Sequence, residues 1–149
     1  MKLHASKISL PEKETHYRYD DCHYENGVKV ELRRFYSVRE TKCFHYVVNE
    51  WDFKLMKRWN FKKLSDCKYT FVTVKRVMKG ALRTYCNENK ELALHSFEKR
   101  KLSQLNHAQT AISKATLSLR KISSMSADEI GESVNCGLDD HLQAFIFDW

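Results

Sequence analysis

Three features of this 149-residue sequence predict an α+β fold, a twisted antiparallel sheet of four to six strands followed by one long C-terminal helix and a short acidic segment. Residues 28–39 alternate apolar and polar side chains with the period of two that marks a half-buried strand. Asn26-Gly27 and Lys79-Gly80 supply turn signals for two hairpins. After Gly80 neither glycine nor proline recurs until Gly131, which leaves room for an uninterrupted helix. With 42% hydrophobic and 30% charged residues, four glycines and one proline, the composition is that of a folded chain. The length suits a single domain over residues 1–149, mainly β to 86, helical over 87–122 and acidic beyond.

Tyr17, Tyr19, His23 and Tyr24 predict a first strand that meets residues 28–39 through the Asn26-Gly27 turn. Residues 43–48 are rich in β-branched and aromatic side chains and give the next strand. Residues 51–67 mix Trp51, Phe53, Leu55, Met56, Trp59 and Phe61 with lysines without a clean period, and read as an irregular crossing that packs aromatics over the sheet. Residues 69–78 return to strand composition and turn at Lys79-Gly80 into a partner over 81–86. Asn87 or Asn89 then caps a helix with Glu91 in its first turn. At about 1.5 Å per residue such a helix is on the order of 50 Å long, so it either breaks near residues 103–107 or projects. Its second half carries Leu105, Ala108, Ile112, Ala115, Leu119 and Ile122, spaced as a heptad seam that suits a helix pair joining protomers. Ser126-Ala127-Asp128-Glu129 resembles a capping box, and the apolar residues 142–149 predict a tail that docks on the sheet or on another chain.

Charge is unevenly placed. Residues 28–126 carry 22 basic and 8 acidic side chains, while residues 127–149 carry 6 acidic and no basic ones. So basic a centre favours phosphates, nucleic acid or acidic proteins as partners. No segment approaches the roughly 20 apolar residues that cross a bilayer, and no signal peptide opens the chain, so the expected location is the cytoplasm. Five widely spaced cysteines without a C-x-x-C pair fit reduced thiols better than a disulfide framework or a zinc module.

Enzymatic motifs are absent: the sequence has no G-x-S-x-G, P-loop, G-x-G-x-x-G or H-E-x-x-H. The acidic and histidine clusters, Asp20-Asp21-Cys22-His23 and Asp139-Asp140-His141, suit turns and caps better than a metal, and His45 and His95 read as packing residues. The expectation is a protein without catalysis, metal or cofactor. Arg34 shares the register of Val30, Leu32 and Tyr36, so it is expected on the core-facing side, where a guanidinium needs a carboxylate or an anionic ligand. Arg39, Arg76, Arg83 and Arg100 with Lys101 add donors near strand ends and the helix start, and Tyr85 and Phe97 offer faces on which a base can stack. Of these, Arg39, Arg83, Tyr85, Phe97 and Arg100 join Arg34 as the six residues of the expected ligand site.

Three stretches carry a resemblance: Val38-Arg39-Glu40-Thr41, Arg83-Thr84-Tyr85-Cys86, and the run from Asn89-Lys90-Glu91 to Arg100-Lys101. Together they resemble small phage-encoded proteins with a twisted sheet and a long C-terminal helix, over about residues 28–122. In size and layout the chain is similar to phage proteins that inhibit bacterial Thoeris defence by taking up a cyclic ADP-ribose signal. The resemblance implies a non-catalytic sponge in the host cytoplasm, a homo-oligomer whose interfaces hold a small phosphorylated nucleotide. Cys86-Asn87-Glu88-Asn89 stands where related sequences commonly place a proline before the helix, which implies a different loop at the pocket. The rival expectation is a basic protein that binds DNA, RNA or a host protein.

Overall fold

The computed structural model describes residues 7–136 except Leu82. They fall into two units, one ending at Glu98 and one beginning at Lys99. The first unit is built on an antiparallel meander in the order β1 (His16–Tyr24), β2 (Gly27–Glu40), β3 (Phe44–Asn49) and β4 (Lys75–Met78). With the helix that follows, this is the α+β arrangement of sheet and then long helix. β1 and β2 pair without a slip from His16 opposite Phe35 to Tyr24 opposite Gly27. Gly27 closes that hairpin at φ 141°, a value that a side chain disfavours.

Between β2 and β3 the register shifts. Ser37 lies opposite Val47 but Arg39 lies opposite Tyr46, so Val38 is the extra residue of a β-bulge. Simple alternation would set Val38 and Arg39 on opposite faces. Instead Val38 packs in the core beside Val48, and the Arg39 guanidinium sits 5.4 Å from the centre of the Tyr46 ring, on the face that Tyr46 shares with Val48.

That face is covered by α1 (Glu50–Arg58) and a 3-10 helix (Leu64–Tyr69), where the sequence suggested an irregular crossing. Asn49 starts α1 by accepting the Asp52 N–H at 2.8 Å, and the Asp52 carboxylate accepts from the Asn49 amide at 2.9 Å and from the Thr73 N–H at 3.1 Å. Phe53 and Met56, three apart on the helix, face inward, and the Phe53 ring stacks on Tyr36 at 3.9 Å and 3°. The opposite face carries a smaller core of Phe35, Val47, Val77 and Cys86.

Residues 81–86 were expected to pair as a strand, and their described residues form none. Their hydrogen bonds go to side chains: Arg18 donates to the Tyr85 carbonyl at 2.8 Å, and Thr84 Oγ1 donates to the Cys86 carbonyl. Only Asn87 makes a ladder contact, exchanging both backbone hydrogen bonds with Tyr17 at 2.7 and 2.9 Å. The expected strand over 69–78 is likewise shorter, because the 3-10 helix takes its start and only Lys75–Met78 pairs with β3.

α2 (Lys90–Ile122) opens in the first unit, where Asn89 Oδ1 accepts the Leu92 N–H at 2.7 Å, and it runs through residues 103–107 without a break. In the second unit its seam is bare. Leu105, Ala108, Ile112, Ala115, Leu119 and Ile122 are all exposed, Ile112 at 66% and Leu119 at 63%. The predicted capping box is formed at α3 (Ala127–Ile130): Ser126 Oγ accepts the Glu129 N–H, and the Ser126 N–H donates to the Glu129 carboxylate at 2.6 Å. The apolar tail at 142–149 and the Asp139-Asp140-His141 cluster lie outside the described residues. Among the described residues no helix is long and apolar enough to cross a membrane.

All five cysteines are free thiols. Burial pushes the Cys86 thiol up to about 12, although Arg18 acts against it, and burial also raises Cys67. Burial thus keeps Cys86 in its unreactive thiol form at pH 8, whereas Cys43 is exposed. Alkylation of the native protein is therefore expected to modify Cys43 first and to reach Cys86 only on unfolding, as read by peptide mass spectrometry. Equal rates at both sites would contradict this packing.

Candidate functional site

A cavity of about 440 Å³ opens on the α1 face of the sheet, in the size range of small-molecule sites. Tyr46, Leu64, Cys67, Val72 and Val74 wall it, and its charged lining residues, Lys68 and Arg76, are both basic. Strand pairing brings Arg76 opposite Tyr46, and the Arg76 guanidinium also lies 4.6 Å from the Phe44 ring centre. The bulge sets a third cation, Arg39, over the Tyr46 ring, although Arg39 itself does not line the cavity. Arg39 Nη1 is buried and has no hydrogen-bond partner among the described residues. A buried guanidinium nitrogen left unpaired is costly, and a phosphate or carboxylate oxygen satisfies it.

The six expected site residues do not share one cavity. Arg34 is exposed and pairs with Glu14 at 3.7 Å, because the part of β2 before Phe35 pairs only with β1 and no described element covers it: Val28 and Val30 are exposed too. Tyr85 packs its edge on Phe35 with Arg18 at 4.5 Å and Lys75 at 5.6 Å from the ring centre, so protein cations already occupy its face. Arg83 is exposed on the same loop, Phe97 is half-buried on α2, and Arg100 belongs to the second unit. None of the six lines the cavity, and Arg39 touches the Tyr46 ring that does. Arg76, named in the sequence as a candidate donor near a strand end, does line the cavity; Tyr46 and Lys68 were not singled out, though the β-rich run over 43–48 and the spacing of Tyr46 with Val48 held the signal.

A second cluster lies on the other face, because His45 precedes Tyr46 on β3. His16, Glu88 and His45 each offer an atom, and these atoms lie within 4.8 Å of one another. His45 Nε2 is 3.0 Å from Glu88 Oε1, and the two imidazoles meet edge to face at 4.7 Å. His16 is 1% exposed and its Nε2 has no hydrogen-bond partner among the described residues. Burial first and His45 second push the His16 imidazole down to about 4, against the pull of Glu88 and Glu40, so it is neutral at pH 7. Reading His45 as a packing residue and expecting no metal site missed this group, whose members are 29 and 43 residues apart in the chain. The other expected histidine, His95, is exposed beside Glu98. Asp20 and Asp21 are held by Arg18 and His23.

No known protein family, curated protein or solved structure matches this chain.

Proposed function

We propose that this protein binds a small phosphorylated nucleotide in the Tyr46 cavity and holds it without transforming it. The observation that carries this reading is a cavity whose charged lining is entirely basic, walled by the Tyr46 ring on which the Arg39 guanidinium lies with its buried Nη1 lacking a hydrogen-bond partner among the described residues. Apolar walls suit a base and ribose, and Arg39, Arg76 and Lys68 suit a phosphate. Nothing among the cavity's lining residues supplies a nucleophile beside a base, since its one thiol, Cys67, is raised by burial. The resemblance to phage counter-defence proteins puts cyclic ADP-ribose isomers first among the ligands to try, followed by cyclic dinucleotides and trinucleotides. Sequestration of such a signal in a host cell is the role this reading assigns.

The rival reading, a nucleic-acid binder, draws on the excess of basic residues over 28–126. Salt separates the two. Binding along a nucleic-acid backbone through 6–10 phosphates weakens by about 10³–10⁵ between roughly 50 and 200 mM salt, whereas a pocket that engages one or two phosphates weakens far less. Calorimetric titration at both salt concentrations is expected to give saturable binding with a shallow dependence, and mass spectrometry to recover the ligand intact. A steep dependence with duplex or single-stranded nucleic acid, and no nucleotide binding, would favour the rival.

The seam of α2 supports a homo-oligomer within the same reading. Six small and apolar residues at heptad spacing face solvent, and a second copy of the helix would bury them. Ile112→Asp with Leu119→Asp is expected to reduce the mass in sedimentation to that of a monomer. A wild-type protein that is monomeric at high concentration would contradict it.

A further inference from the structure

We propose that His16 Nε2, His45 Nε2 and the Glu88 carboxylate bind one divalent transition-metal ion of the zinc class. The site is separate from the Tyr46 cavity, on the other face of the sheet, and neither proposal depends on the other.

Topology assembles it from three distant points. His16 opens β1, His45 lies on β3 opposite Glu40, and Glu88 follows Asn87, whose backbone is tied to Tyr17 beside His16. That tie fixes where Glu88 leaves the loop. Cys86 and Val77 of the smaller core pack beneath the same cavity that His16 and Glu88 line.

Hydrogen bonds aim both imidazoles. Ser37 Oγ lies 3.2 Å from the Arg39 carbonyl oxygen and 3.2 Å from His45 Nδ1, so it holds the ring against β2. This contact at Nδ1 turns His45 Nε2 toward Glu88. His45 Nε2 lies 3.0 Å from Glu88 Oε1, so a bound metal ion would replace the proton that these two atoms otherwise share. Thr15 Oγ1 accepts the Ser37 N–H at 2.8 Å and is hydrogen-bonded to His16 Nδ1, also at 2.8 Å. Both histidines are thus hydrogen-bonded at Nδ1, the outer hydrogen bonding that accompanies metal-bound histidine, while His45 Nε2 faces Glu88 and His16 Nε2 has no partner among the described residues.

Two imidazoles and a carboxylate form a donor set for zinc and its neighbours, not for magnesium or calcium. Ligand atoms around a tetrahedral zinc ion lie roughly 3.4 Å apart, given bonds of about 2.1 Å. The present atoms need to draw in by about an ångström, and Glu88, whose side chain is 59% exposed, has the freedom to do so. His16 and Glu88 also line a cavity of about 80 Å³ with Thr84 and Asn87, room for about two waters, so a bound ion keeps an open coordination position.

The test uses full-length protein stripped with a chelator, kept reduced, and titrated with Zn²⁺ by calorimetry and with Co²⁺ by absorbance. One equivalent is expected to bind, with a cobalt spectrum that lacks thiolate charge-transfer bands and a melting temperature that rises on loading. Losing an outer hydrogen-bond partner costs about 10–100-fold in metal affinity, so Ser37→Ala is expected to fall in that range and His45→Ala and Glu88→Gln to exceed it. Glu88 is exposed enough that Glu88→Gln keeps the fold, and His95→Ala is expected to bind as the wild type does. Absence of a saturable site in the wild type, unchanged affinity in Glu88→Gln and His45→Ala, or thiolate bands in the cobalt spectrum would each overturn the assignment. In the first case His45 and Glu88 form only an ion pair.

Discussion

Phe53→Ala is expected to destabilise the first unit by about 3–5 kcal/mol, the range for removing a buried phenylalanine. Its ring is buried and stacks on Tyr36, and Met56, Val38 and Val48 belong to the same core. Aromatic pairing adds about 0.5–1.5 kcal/mol beyond burial, and the remaining cavity cannot collapse while β2 and β3 hold their register. Against a total stability of roughly 5–15 kcal/mol this is a large share. Each kcal/mol corresponds to roughly 4–8 °C in a domain of this size, so a thermal melt by circular dichroism reads it directly. Cys67 and Val72 belong to this core and also wall the Tyr46 cavity, so the variant should lose ligand binding over the same temperature range as its fold. Phe53→Leu should recover most of the loss. A Phe53→Ala melt within a few degrees of wild type would mean that α1 is not packed on the sheet as described.

Arg39→Ala is expected to do the opposite: a large effect on binding and little on stability. A charge-assisted contact to a phosphate contributes about 1.5–3 kcal/mol, which corresponds to about tenfold to a hundredfold in affinity. In the ligand-free protein Nη1 has no partner among the described residues, so truncation removes an unsatisfied group and strands no carboxylate. The melting temperature should hold or rise. A structural arginine behaves otherwise, because removing it leaves its partner unpaired. Arg34→Ala supplies the comparison: its partner Glu14 is half-buried at the surface, so neither stability nor affinity should change much.

The two elements with strong local signals were legible in sequence. The first hairpin follows from alternation and Asn26-Gly27, and α2 follows from a long stretch without glycine or proline behind Asn89. α1 was not legible, because aromatic and lysine residues through 51–61 blur its period, although Asn49 with Asp52 three residues on was a usable start signal. Residues 81–86 have strand composition but spend their carbonyls on Arg18 and Thr84, which composition does not reveal. Arg39 was singled out for lying near a strand end, yet its place beside Tyr46 comes from the bulge at Val38, and a one-residue shift of this kind reverses which face a side chain meets. His16, His45 and Glu88 meet only through the meander and the Asn87–Tyr17 tie, so no spacing rule along the chain finds them.

The measurement that bears most directly on the Tyr46 cavity is chemical-shift mapping of the labelled protein with a phosphorylated nucleotide and with its dephosphorylated counterpart. The phosphorylated ligand is expected to shift resonances of Tyr46, Leu64, Val72, Val74, Arg76 and the Arg39 guanidinium, saturating at one equivalent, while its counterpart produces weaker changes at the apolar wall alone. Shifts centred on Arg83 and Tyr85, shifts spread along the basic surface without saturation, or equal responses to both ligands would contradict the account.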